Sequence, residues 1–337
     1  MSKDQFSSPP GDALPILGID VSKLTLDTCL ALEGKLVRQR VANTAEGHRQ
    51  MLEALQKHGV STALIVMEAT GPYHLALATT AFEAGHRVAV INPRRVLDYA
   101  KAKGRRNKTD RVDAAIIASF ASAHAPALWQ PLPAAQNVLR ELLRRQGDLE
   151  AYLQAEERRL EMAPSVPALR ESLRRAIRWI QAEKLRMEKS VVRHLQEEPA
   201  LADDIRRLEA IPGFGEKTAR LLTAEIPRHF KNARAVAAWL SVVPQQWTSG
   251  TSVRNGSHLG FPAPSLRGKL YFPAISAMRW DARSKAFAER LRAAGKAKMS
   301  IIFAVLHKLV RAAFAILKTG SEYQPTHAVK LDAPCSP

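Results

Sequence analysis

Two stretches decide the fold: Leu14–Lys23, LPILGIDVSK, and Ala63–Tyr73, ALIVMEATGPY. Each holds a short apolar run that closes on a carboxylate, Asp20 in the first and Glu68 in the second. Short apolar runs bounded by turn-forming residues predict buried strands, here Leu14–Asp20 and Ala63–Glu68. Between them, Leu24–Leu32 and Lys35–Val41 flank Glu33-Gly34, which predicts a hairpin. Asn43-Thr44 then offers an N-cap to a helix striped by Met51, Leu52 and Leu55 and stopped at Gly59. A helix near Tyr73–Ala84, a strand at Arg87–Ile91 and a further helix complete the order βββαβαβα.

An antiparallel meander followed by α/β units is the order of the RNase H-like fold, expected over 14–130. From 139 to 198 charged residues mix with a Leu stripe, Leu142, Leu149, Leu153 and Leu160, that resumes after Ala163–Pro167 as Leu169, Leu173, Ile180, Met187 and Val191. This spacing predicts a helical hairpin, either a coiled-coil arm for dimerisation or RNA contact or a packed insertion. A third, mainly helical region is expected over 203–319. The fold class is thus α/β plus α, with a disordered start at 1–13 and a flexible tail at 320–337.

The 337 residues carry 50 Lys+Arg against 32 Asp+Glu, a formal charge of +18. Such an excess predicts a polyanionic partner, because cations that neutralise phosphates release counterions. It is unevenly spread: residues 1–130 hold 16 basic and 12 acidic residues, net +4, which leaves +14 for the remainder. One basic cluster does lie in the first region, where Arg94, Arg95, Lys101, Lys103, Arg105, Arg106, Lys108 and Arg111 face only Asp98 and Asp110. Two cysteines, Cys29 and Cys335, exclude a disulfide framework or a Cys-based zinc site. The sequence shows no HExxH motif or P-loop, which argues against metalloprotease and NTPase readings. No stretch reads as the roughly 20 apolar residues of a membrane span, and a soluble, cytoplasmic protein without membrane partners is expected.

The chemistry centres on acids. Asp20 and Glu68 end strands that lie side by side in an RNase H-like sheet. Asp110 and Asp113, in KTDRVDA, are three apart at a helix start and share a face. Four converging carboxylates hold hard divalent cations, Mg²⁺ above all, and paired ions stabilise attacking and leaving oxygens in phosphodiester displacement. Taken singly, Asp20 reads equally as a turn cap and Asp110 as an acid at a helix start.

The motifs GIDVSK, EATGPY and KTDRVDA, with the C-terminal elements below, resemble the DEDD insertion-sequence transposases of the IS-one-ten and IS-eleven-eleven group, the bridge-RNA-guided serine recombinases. The likeness spans about 14–320 and implies a RuvC-like domain with Asp20, Glu68, Asp110 and Asp113 as its acids, a coiled coil, and a C-terminal transposase domain with a serine. Ile211–Ala219, IPGFGEKTA, resembles a helix-hairpin-helix turn in which Gly213 and Gly215 permit a tight bend and Lys217 opens a helix toward phosphate. In LSVVPQQWTSGTSVRNGSHLG the resemblance makes Ser249 the nucleophile, with Thr251, Ser252 and Ser257 as competitors on residue type alone. Arg254, Arg267 and Lys269 follow as candidate phosphate contacts. Gly260–Ser265, GFPAPS, departs from the Lys-Arg-Gly-rich turn of many relatives: a stiff, uncharged stretch stands where they carry basic residues, and the departure bears on that turn's DNA contacts and not on the serine. The implied partners are donor and target DNA, a guide RNA and further copies of the chain as dimer or tetramer, on a bacterial nucleoid. Two other readings fit the residues: a RuvC-like metal-dependent nuclease using water, and a noncatalytic nucleic-acid-binding protein.

Overall fold

A computed structural model describes residues 14–32, 34–104, 114–249, 253–259 and 266–324, with backbone alone for 244–249 and 253–259. The start, 1–13, the far end of the tail, and 105–113 with Arg105, Arg106, Lys108, Asp110 and Asp113 lie outside the described residues. The chain divides into two compact units, Met1–Pro131 and Leu132–Pro337.

The first unit is built on strands β1 (Ile16–Val21), β2 (Thr25–Leu32), β3 (Lys35–Ala42), β4 (Leu64–Glu68) and β5 (Arg87–Ile91), with helices α1 (Ala45–Lys57), α2 (Leu75–Glu83), α3 (Pro93–Ala102) and α4 (Ala114–His124). The sheet order is β3-β2-β1-β4-β5. The meander β1-β2-β3 is antiparallel, and β4 and β5 run parallel to β1, which is the RNase H-like arrangement. Alternation assigns the two faces. Leu17, Ile19, Val21, Ile65 and Met67 pack on one side with Met51 and Leu55 of α1 and Leu77 and Ala81 of α2. Ile16, Val66, Ala89 and Ile91 pack on the other with Val96 of α3 and Ile117 and Phe120 of α4. Two glycines make close approaches possible. A Cβ on Gly18 would lie 2.1 Å from the Ala114 carbonyl oxygen of α4, and one on Gly47 would lie 1.9 Å from that of Ala42.

The second unit begins with two long helices, α5 (Ala134–Met162) and α6 (Pro167–Glu197), separated at the expected Pro-rich break. Cross-links Gln146–Glu188 at 2.8 Å, the Glu150–Lys184 ion pair, and His194 on the Ala135 carbonyl show that they run antiparallel. Leu149, Leu153 and Ile180 form the cluster between them, whereas Leu169 of the expected stripe and Trp179 are exposed. Then follow α7 (Pro199–Glu209), α8 (Glu216–Glu225), α9 (Ala233–Trp239), β6 (Pro244–Ser249), β7 (Val253–Leu259), α10 (Leu266–Lys269), α11 (Tyr271–Trp280), α12 (Ala282–Ala293) and α13 (Lys298–Thr319). Gln136 of α5 is buried and donates to the Thr223 and Ile226 carbonyls, both at 2.9 Å, so it satisfies orphan acceptors at the end of α8.

Two features depart from the sequence expectations. Within the region expected to be mainly helical, the segment around Ser249 contains an antiparallel pair, β6 with β7. And α13 is long and apolar enough, by length and composition, to cross a membrane, although no such stretch was expected. Its apolar side chains explain why: Ile301, Ile302, Val305, Leu306, Leu309, Val310, Ala313, Phe314, Ile316 and Leu317 are buried in the largest core of the unit. A helix wrapped by neighbours on several sides loses the polar periodicity of a surface helix.

Candidate active site

β1 and β4 pair in parallel with Ile19 beside Met67, so the next residues, Asp20 and Glu68, stand level at the strand ends. By alternation both belong to the α3/α4 face. The same row extends across the meander, where Asp20 pairs with Asp27 and Asp27 with Arg40. Arg40 grips Asp27 through Nε at 2.6 Å and Nη2 at 3.0 Å. The row opens into a cleft of about 390 Å³ lined by Asp20, Asp27, Thr28, Arg38, Arg40 and Ala114.

Glu68 is 8% exposed, and its Oε1 is buried without a hydrogen-bond partner. Burial, with the neighbouring Asp20 charge adding to it, pushes the Glu68 carboxyl up to about 7. A buried carboxylate that faces another acid and leaves an oxygen unsatisfied fits a hard cation, since one ion would supply the missing partner and cancel the repulsion. Among the described residues no group of three or more His, Cys, Asp or Glu side chains clusters into a metal site. The structure therefore brings Asp20 and Glu68 together, while Asp110 and Asp113 fall in the stretch outside the description. Ala114, the first described residue after them, lies against Gly18, two residues along β1 from Asp20.

The remaining candidates are dispersed. Arg94 opens α3 and lies 3.8 Å from Asp98; Arg95 sits over the Phe120 ring and Lys103 over the Tyr99 ring; Lys101 is exposed. Ser249 ends β6, paired with Val253, and Arg254 lies in β7. Gly213 has φ +89° and its α-carbon abuts α11, where a Cβ would lie 2.4 Å from the Pro273 carbonyl oxygen. Packing alone thus requires that glycine. Gly215 caps α8 in open space and Lys217 is exposed. Arg267 donates to the Ser241 carbonyl at 3.4 Å, and Lys269 is exposed.

Sequence reasoning missed the Asp27–Arg40 pair, the cleft wall at Arg38, and the polar tie made by Asn43 and His48. The signal for the first two was available: Asp27, Arg38 and Arg40 keep the strand period and so share the Asp20 face. The role of Asn43 had none, because its side-chain amide donates to backbone carbonyls distant in the chain.

Two family models match the chain: a DEDD transposase model of IS110 over residues 17–163, and one described as "Transposase IS116/IS110/IS902 family" over residues 205–289. A pilin gene-inverting protein of Moraxella bovis is 30% identical over 91% of this chain and 97% of its own length. A putative transposase of Sinorhizobium fredii is 25% identical over 91% of this chain and 85% of its own length. Among solved structures, T. thermophilus RuvC in complex with Holliday junction substrate overlaps 34% of this chain and 99% of that chain, at 16% identity and a TM-score of 0.27. That overlap is too slight to build on. With an acid pair at the ends of adjacent strands, two family models and a full-length relative at 30% identity, this chain belongs to the IS110/IS116 family of transposases.

Proposed function

We propose that the protein recombines DNA for an insertion sequence, cutting and rejoining strands through a covalent phosphoserine on Ser249. Asp20, Glu68, Asp110 and Asp113 would hold Mg²⁺, which would supply charge neutralisation on the phosphoryl oxygens. The single observation that carries this reading is the unpartnered Glu68 oxygen beside Asp20. Burial favours the proton on Glu68, so a cation bound there would compete with that proton.

In the step at Ser249 the hydroxyl oxygen bonds to phosphorus as one P–O bond to the strand breaks. The serine proton leaves to solvent and the freed strand end departs with the bridging oxygen. A second DNA end reverses the exchange and regenerates the hydroxyl, so the phosphodiester energy is conserved, whereas attack by water would discard it. The name of the Moraxella relative, a gene-inverting protein, supports rejoining over simple hydrolysis. The excess of +14 beyond residue 130 supports a backbone grip on nucleic acid. Target choice rests on base pairing with a bridge RNA, and the α5–α6 pair serves as a coiled-coil arm between copies of the chain in the bacterial cytoplasm.

The test is a covalent adduct between protein and labelled DNA, trapped by denaturation. It is expected in the wild type with Mg²⁺ and absent in Ser249→Ala. A Ser249→Ala protein that still cleaves would instead establish water as the nucleophile and the chain as a RuvC-like nuclease. Sequencing of copurified RNA tests guidance: one defined species is expected, and random cellular RNA would overturn it.

A further inference from the structure

Asp20 and Glu68 sit on different strands, and the loops that follow them are joined by one side chain. Asn43 lies between β3 and α1, outside both strands. Its Nδ2 donates to the Ser22 carbonyl at 2.9 Å and to the Tyr73 carbonyl at 3.1 Å. Ser22 lies two residues past Asp20 and Tyr73 five past Glu68. Both amide hydrogens are therefore spent on the two acid-bearing connections. The Oδ1 of Asn43 is held in turn by the Nε2 of buried His48 at 2.9 Å. This arrangement fixes the amide orientation, since the flipped amide would point oxygen at two carbonyl oxygens. It also fixes His48 as the Nε2–H donor.

Each loop is tied by its own hydrogen bonds between the Asn43 contact and its acid. Ser22 closes a tight turn with Thr25, through Ser22 N on Thr25 O at 2.9 Å, Ser22 Oγ on Thr25 O at 2.8 Å and Thr25 N on Ser22 Oγ at 2.9 Å. After Glu68, Ala69 N bonds Ile91 O and Thr70 N bonds Glu68 O, both at 2.9 Å, and Tyr73 N bonds Thr70 O at 3.2 Å. Asn43 is itself anchored, because its backbone N–H donates to Leu24 O at 2.9 Å and Gly47 lets α1 close against Ala42.

We infer that Asn43, seated by His48, is a positioning residue that clamps the two strand-end loops and so sets the spacing of Asp20 and Glu68 for a shared cation. The inference rests on the proposed acid site and goes beyond it, since neither residue belongs to the four acids. Groups that orient ligands from behind typically change metal affinity by about 10–100-fold when lost.

The experiment uses the full chain and Mn²⁺ as the probe, with calorimetric binding and amide hydrogen exchange read on the same proteins at a temperature where all are folded. Asn43→Asp keeps the shape but removes both donors. It is expected to weaken Mn²⁺ binding by about tenfold or more and to speed exchange of residues 22–25 and 69–75 together. His48→Gln, which can still donate to Asn43, is expected to stay within about threefold of wild type. Thr44→Ala, which removes only the neighbouring cap of α1, is expected to lower the melting temperature and leave both readings unchanged. If Asn43→Asp folds poorly, His48→Leu is read in its place, with a smaller effect in the same direction. Unchanged Mn²⁺ affinity in Asn43→Asp, or faster exchange in one loop only, would overturn the clamp. A wild type that binds no Mn²⁺, or a Glu68→Gln protein that binds as well as wild type, would overturn the acid site instead, and exchange would still decide whether Asn43 ties the loops.

Discussion

Glu68 in the first unit and Asp204 in the second are both acids removed from water, at 8% and 4% exposure, yet their surroundings are opposite. Asp204 accepts from Arg207 at 3.2 Å and forms a second ion pair with Arg228, so its charge is answered within the fold. Glu68 meets another carboxylate, Asp20, and one of its oxygens has no partner. Burying a charge is tolerable only when it is paired. Asp204 thus belongs to the architecture of α7 and the segment after α8, whereas the Glu68 charge is unanswered within the described fold and is relieved by a proton or by a cation. The contrast separates an acid paired within the fold from one whose charge is left unpaired, as the proposed metal site requires.

The largest effect that would break this contrast is on activity. Asp20→Asn or Glu68→Gln should lower DNA cleavage on the order of a thousandfold, measured on a plasmid substrate, while the protein remains folded. Asp204→Ala should do the reverse and cost about 3–5 kcal/mol in urea unfolding, because Arg228 and Arg207 lose their shared acceptor. A loss under about 1 kcal/mol there would show that the pairing does not hold the second unit together.

A finer test uses pH on the metal-free protein. The Glu68 carboxyl is raised in the folded chain to about 7 from an ordinary 4.5. Below the ordinary value it is neutral whether folded or unfolded and costs nothing. As pH rises through this window the unfolded chain releases the proton first, so stability falls and the loss is complete above the raised value. Glu68→Gln should therefore be more stable than wild type by roughly 2–3 kcal/mol at pH 8 and equal to it near pH 4, by thermal or urea unfolding. Saturating Mn²⁺ should shrink the difference. The smallest effect is expected at Thr44, whose Oγ1 accepts from Gly47 N at 3.2 Å. Thr44→Ala should cost about 1 kcal/mol and leave cleavage intact.

Much of the first unit was legible because its signals are local. Apolar runs ending in Asp20 and Glu68, the Gly34 turn at φ +78°, the Thr44 cap and the Gly59 stop are each decided by a few neighbouring residues. The α5–α6 break at Ala163–Pro167 was legible for the same reason, since proline cannot continue a helix. What escaped depended on partners far along the chain. Burial of α13 depends on helices gathered from across the second unit, and β6–β7 is a strand pair inside a region that was expected to be mainly helical. Gly213 reads as a turn glycine, and only the approach of α11 shows that packing also demands it.

The sequence by itself determined the order of elements in the first unit, the carboxylates near the ends of two adjacent strands, and the family to which the motifs belong. It determined the uneven charge as well, because that is a count. Only the tertiary structure decided that Asp20 and Glu68 stand level on one face, that Glu68 is desolvated, and that Asn43 reaches both loops. Strand register, desolvation and long-range hydrogen bonds are properties of pairs of segments, and no local pattern encodes the partner.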